Sequence, residues 1–202
     1  MNEKSYLTVQ TPAKAELTVE HSRFIGHCRE VASETEAKAF IAQIRAENSQ
    51  ANHNCYAYRL GAGKDPLEYY NDHGEPSGTA GKPILGAIER LKLTNVVVVV
   101  TRYFGGKKLG VRGLIDAYGQ TATLVLKTAG SCVRIPTFCT TLTCSYADHS
   151  LILHRLKQVD PTVADTGFTA SVTLHLVIPE ANRTVFESIL KELPVQDVSY
   201  TD

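Results

Sequence analysis

The chain has 202 residues, enough for one large domain or two small ones with a real core. Apolar residues make up 43% and charged residues 21%, and the formal net charge is zero, so bulk charge points to neither nucleic acid nor a membrane. The five cysteines (Cys28, Cys55, Cys132, Cys139 and Cys144) are odd in number and hold no C-x-x-C, which argues against a disulfide framework or a zinc cluster. The opening "MNEKSYLTVQ" lacks the apolar core of a signal peptide and no run reaches membrane-spanning length, so a reducing cytoplasm is expected and no membrane partner.

In chain order, two strands are expected near Ala15–Glu20 and Arg23–Glu30. A helix follows, with the capping box Ser33-x-x-Glu36 and a core stripe of Ala37, Phe40, Ile41 and Ile44. "NCYAYRL" reads as a strand, and residues 61–81 read as a polar loop rich in glycine and proline. A helix from about Gly78 to Leu91 leads to the buried strand "NVVVVV", and a long helix runs from about Leu109 to Thr128. The division between halves falls near Ile135-Pro136, giving a domain over 1–134 and a second over 135–202.

The second half is the more regular. "TFCTTLTC" alternates as a strand, and "SYADHSLILHRLKQV" carries Leu151, Ile152, Leu156 and Val159 at helical spacing. A short strand near Thr162–Asp165 is expected to turn at Gly167 into "FTASVTLHLVI", which alternates without a break from Phe168 to Ile178. Pro179 opens a helix with Phe186, Ile189, Leu190 and Leu193 on one face; Pro194 stops it, and "VQDVSY" forms a last strand. The order β-α-β-β-α-β is that of a ferredoxin-like domain, and the whole is α+β.

Chemistry concentrates in the first half. "TRYFGGKKLG" follows the valine strand and supplies Arg102, Tyr103, Gly105, Gly106, Lys107 and Lys108. Paired glycines let a ligand approach the backbone, and lysines at a helix start oppose the macrodipole, so an anion there would offset the repulsion. Between Gly81 and Gly113 the bases Lys82, Arg90, Lys92, Arg102, Lys107, Lys108 and Arg112 face Glu89 alone, a basic patch hidden within zero net charge. Arg23 stands inside an apolar strand and is a further candidate contact. In "NDHGEPSGTAGKP" the loop-shaping residues are Gly74, Pro76, Gly78, Thr79 and Gly81, and His53, Asp72 and Glu75 are candidates for acid/base work. "EPSGTAGKP" is no P-loop, because Pro76 stands where the first glycine belongs and Pro83 follows Lys82. No metal or cofactor is expected.

"SRFI", "DHGEPSGTAGKP" and "VVVVVTRYFGGKKLGVRGLIDAYG" together resemble the IMPACT/YigZ family over nearly the whole chain. The resemblance implies a first domain like the second domain of a small-subunit ribosomal protein, and a second like the C-terminal domain of elongation factor G. Eukaryotic relatives regulate translation, restraining the amino-acid-starvation kinase by competing for its activator with the help of an N-terminal RWD domain. This chain begins almost at its first strand, so the two-domain bacterial type is expected and the kinase role is not carried over. Family members often carry a second acid after the position of Asp72, where this chain has His73.

The expected function is therefore a translation regulator that binds RNA or the ribosome through the basic patch, without catalysis, and with a possible protein partner in translation control. An enzyme acting on a small phosphorylated or peptide-like substrate in the Asp72–Lys82 loop is the alternative, and a protein-binding module using the acidic second domain is a third.

Overall fold

The structure is a computed structural model that describes residues 5–63 and 65–201. The outer limits of the two expected domains, residues 1 and 202, lie outside the described residues. The chain divides into two compact units that meet in sequence between Arg134 and Ile135.

The first unit contains β1 (Tyr6–Val9), β2 (Ala13–Val19), β3 (Ser22–Glu30), α1 (Glu34–Glu47), β4 (His53–Leu60), β5 (Leu67–Asn71), α2 (Gly81–Arg90), β6 (Val96–Tyr103), α3 (Gly110–Ala129) and β7 (Ser131–Arg134). Its main sheet is antiparallel with strand order β2-β3-β6-β4-β5, and β1 pairs separately with β7. The valine strand occupies the centre. Val96, Val98 and Val100 pack under α2 and α3, while Val97 and Val99 pack under α1 with Phe40, Ile41, Ile44 and Tyr58. A strand covered on both faces needs apolar residues at every position, which is why its pattern is continuous rather than alternating.

The expected start of α1 is present: Ser33 Oγ accepts from the Glu36 N–H at 3.2 Å, and Glu36 reaches back to the Ala32 N–H at 2.8 Å. Glu20 and His21, both at positive φ, form the two-residue turn between β2 and β3. Three strands escaped the sequence. β1 and β7 are four residues each, too short for a periodic signal. β5 is an edge strand with four exposed residues out of five, so it shows no apolar face.

The second unit contains β8 (Thr137–Cys144), α4 (His149–Leu156), β9 (Thr162–Phe168), β10 (Val172–Pro179), α5 (Arg183–Leu190) and β11 (Val195–Thr201). The antiparallel order β11-β8-β10-β9 is the ferredoxin-like arrangement, and Ile152, Leu156, Phe186 and Ile189 cover Leu142, Leu174 and Leu176. The turn between β9 and β10 lies at residues 169–171 instead of Gly167. Its three residues preserve the alternation parity, so Phe168, which is 61% exposed and ends β9, reads as part of the next strand. Leu151, expected in the core, is exposed. The α+β class is as expected, and among the described residues no helix is long and apolar enough to cross a membrane.

His27 on β3 is 8% exposed, its Nδ1 has no partner among the described residues, and Lys14 stands opposite it on β2. Burial first, then Lys14, lowers its pKa below the ordinary value. The unfolded chain therefore binds this proton more readily, and stability contributed by the neutral ring is lost as pH falls below about 6.5. His27→Gln is expected to flatten the decline of the urea midpoint between about pH 7 and pH 5; an unchanged acid limb would reject that assignment.

Candidate functional site

The apolar run ends at Val100, but β6 continues through Thr101, Arg102 and Tyr103. Strand alternation sends Arg102 to the face of Val96, Val98 and Val100, under the helices, and the ladder sets it between Phe24 of β3 and His53 of β4. A guanidinium 5% exposed needs a counter-charge, and Glu75 provides it. Arg102 Nη1 donates to Glu75 Oε1 at 2.7 Å and Nη2 to Ser22 Oγ at 3.4 Å. The rings of Phe24 and Phe104 lie 5.4 Å from the guanidinium carbon. Tyr118 of α3 donates to the same Glu75 oxygen at 2.9 Å, and burial pushes its phenol pKa far up. Glu75 Oε2 takes no hydrogen bond from any described residue, although the Glu75 side chain is only 4% exposed.

The loop before α2 is built around Asp72. Its Oδ2 accepts from the Gly78 N–H at 2.8 Å, and its Oδ1 from the N–H groups of Ala80 at 3.0 Å and Gly81 at 2.8 Å. The carboxylate thus caps α2, whose own N-cap residue, Ala80, has no side-chain acceptor. Thr79 Oγ1 closes the turn on the Pro76 carbonyl at 2.7 Å. Gly81 abuts the Asn71 backbone, where a Cβ would come within 2.8 Å of the nitrogen. His53 Nδ1 donates to the His73 carbonyl at 2.9 Å, which turns Nε2 toward Glu75 Oε1, 3.8 Å away. The Cys55 thiol donates to the Asp72 carbonyl, and burial raises its pKa to about 12, so it is inert at neutral pH.

The segment after β6 turns away under tight constraint. A Cβ on Gly105 would fall 2.0 Å from the His21 carbonyl oxygen, and Gly106 has φ +88°. Lys107 pairs with Glu20 at 2.5 Å, and Arg23 pairs with Glu16 at 2.7 Å. The Tyr103 hydroxyl donates to Asn48 Oδ1. Lys82 is exposed in the first turn of α2. Lys108, Glu75, Pro76, Arg102 and Phe104 line a cleft of 340 Å³ with Leu109, Gly110, Val111 and Leu114 from the start of α3. Glu75, Arg102, Lys108 and His53 therefore gather at one place, while Arg23 and Tyr103 lie on the opposite face of the sheet from Arg102.

Two family models match the chain: the Impact N-terminal domain over residues 20–126 and a domain of unknown function (DUF1949) over residues 142–193. IMPACT family member YvyE of Bacillus subtilis is 35% identical over 94% of this chain and 87% of its own length. IMPACT family member YigZ of Escherichia coli is 33% identical over 94% of this chain and 93% of its own. The chain belongs to the IMPACT family. A crystal structure of a hypothetical protein aligns with this IMPACT-family chain at TM-score 0.70 and 32% identity, covering 94% of one and 92% of the other. The Protein IMPACT homolog of Dictyostelium discoideum is 32% identical over 54% of the chain, which spans only 32% of that protein.

The second acid that the resemblance leads one to expect after Asp72 is replaced in this chain by His73. Here its Nδ1 accepts the Asn54 N–H at 3.1 Å, and burial, Arg45 and His53 lower its pKa, so it serves the loop as a neutral acceptor. No group of three His, Cys, Asp or Glu side chains among the described residues is placed to hold a metal ion. Sequence reasoning missed Tyr118 and Ser22. The available signal was a tyrosine on the inward stripe of α3 beside Leu114 and Ala117, since a buried hydroxyl needs a partner. Glu75→Ala leaves Arg102 and Tyr118 unpaired, so we expect a loss of about 3–5 kcal/mol in urea unfolding, with a smaller loss for Glu75→Gln; equal stability of the alanine variant would show that the pair is not needed.

Proposed function

We propose that this IMPACT-family chain acts in translation control by binding RNA or the ribosome through the first unit. The observation that carries the reading is the distribution of unbalanced positive charge. Lys82, Lys108 and Arg112 are exposed, sit at the starts of two helices packed on each other, and meet no acidic partner among the described residues. Neither α2 nor α3 has an acid in its first turn. At α3, Lys108 and Arg112 lose repulsion from the helix dipole when a phosphate approaches, whereas the Asp72 carboxylate already balances the start of α2 beside Lys82. Arg23 and Lys107 contribute less, because Glu16 and Glu20 already balance them. Phe104, 46% exposed, supplies a stacking surface beside the patch, whereas Tyr103 is held by Asn48. Regulation of translation enters through the family; the kinase pathway does not, since this chain matches only about a third of its longer eukaryotic relatives.

An enzyme is the second reading, favoured by the approach of His53 to Glu75. Asp72 is not a partner in it, because its carboxylate is committed to three backbone N–H groups.

The RNA reading is tested by titrating single-stranded RNA at several salt concentrations. Lys108→Glu/Arg112→Glu is expected to weaken binding at least about tenfold and to reduce the salt slope by about 2. Lys107→Glu is expected to have a smaller effect. RNA binding by the double variant that equals wild type at low salt would remove the patch as the site.

A further inference from the structure

We propose that the cleft between Glu75, Phe104 and the start of α3 is a nucleotide pocket, with the phosphate on the α3 N-terminus and Lys108 and a base N–H on Glu75 Oε2. The cleft volume of 340 Å³ lies in the range of small-ligand sites, about 300–1,000 Å³. Its two ends make opposite chemical demands.

At the outer end, α3 begins without a capping side chain, and no acid lies in its first turn. The N–H groups of Gly110, Val111 and Arg112 find no acceptor outside the helix among the described residues. Helix N–H groups and Lys108 together form a site for an anion. Gly110 has φ +69°, so a side chain here would be strained, and its bareness keeps the backbone open to the cleft.

At the inner end, Glu75 is the independent observation. Its side chain is more than nine-tenths buried, it lines the cleft, and every hydrogen bond it accepts from the described residues goes to Oε1. The Glu75 Oε2 takes no donor from the described residues, so this oxygen is open to accept a ligand N–H. The charge of Glu75 is already balanced by Arg102. A second cation would meet Arg102 and Lys108 at close quarters, so the donor that fits is neutral. That excludes an amine and favours the N–H edge of a base. Between the ends, Pro76, Phe104, Leu109, Val111 and Leu114 provide an apolar wall suited to a base and sugar.

A nucleotide can come free or as a unit of RNA, and the shared chemistry is a phosphate joined to a base with N–H donors. This proposal shares Lys108 with the RNA reading but does not depend on it.

The probe is GMP, with guanosine and inorganic phosphate as controls, followed by backbone amide shifts of the full chain. GMP is expected to move the amides of Phe104 and residues 110–112, and to bind at least about tenfold more tightly than either control. Lys108→Glu and Phe104→Ala, both at exposed positions, are each expected to weaken GMP at least about fivefold. Glu75→Gln is expected to weaken GMP relative to inorganic phosphate while leaving phosphate unchanged. Phosphate binding as tightly as GMP, shifts elsewhere, or no shift at millimolar GMP would overturn the proposal. If RNA binds through Lys82 and Arg112 while GMP does not bind, the pocket fails and the RNA reading stands. If GMP binds and RNA does not displace it, the pocket stands with free nucleotide as its source.

Discussion

Arg102 lies where the central strand leaves the core, and much of the first unit is arranged around that fact. β6 has no solvent face, so a charged residue on its helix side must be neutralised inside the protein. Glu75 does this from a loop 27 residues away in sequence. The loop must then be held still, which explains why Asp72 spends its carboxylate on backbone N–H groups and why Thr79 bonds to Pro76. Tyr118 and Ser22 extend the same network to α3 and to the turn after β2. Buried ion pairs are weak sources of stability but severe constraints on geometry, because breaking one leaves an uncompensated charge.

This constraint separates two populations of basic residues that look alike in sequence. Arg23, Arg102 and Lys107 are bound to glutamates, whereas Lys82, Lys108 and Arg112 meet no acidic partner among the described residues. The stretch "TRYFGGKKLG" contains both kinds within ten residues. Its glycines have distinct causes as well: Gly105 touches the His21 backbone, and Gly106 adopts a left-handed conformation.

Legibility in the sequence followed the range of the interaction. The capping box at Ser33, the inward stripe of α1 and the alternation of β10 are local patterns, and all are present. β5 went unseen because its side chains face solvent, and only pairing with β4 makes it a strand. The β9–β10 turn was misplaced because a three-residue loop keeps the alternation in phase. For the site, residue types were readable and partners were not. Nothing in "NDHGEPSGTAGKP" tells which acid caps a helix and which enters the core.

The sequence by itself determined the α+β class, the ferredoxin-like order of the second unit and the family, since these rest on periodicity and on dense local motifs. Tertiary structure decided the roles of the two acids: Asp72 went to the backbone of α2, and Glu75 went to Arg102 on the wall of the cleft. The physical reason is that a carboxylate's function depends on which donors lie within about 3 Å, and that is a property of the folded chain.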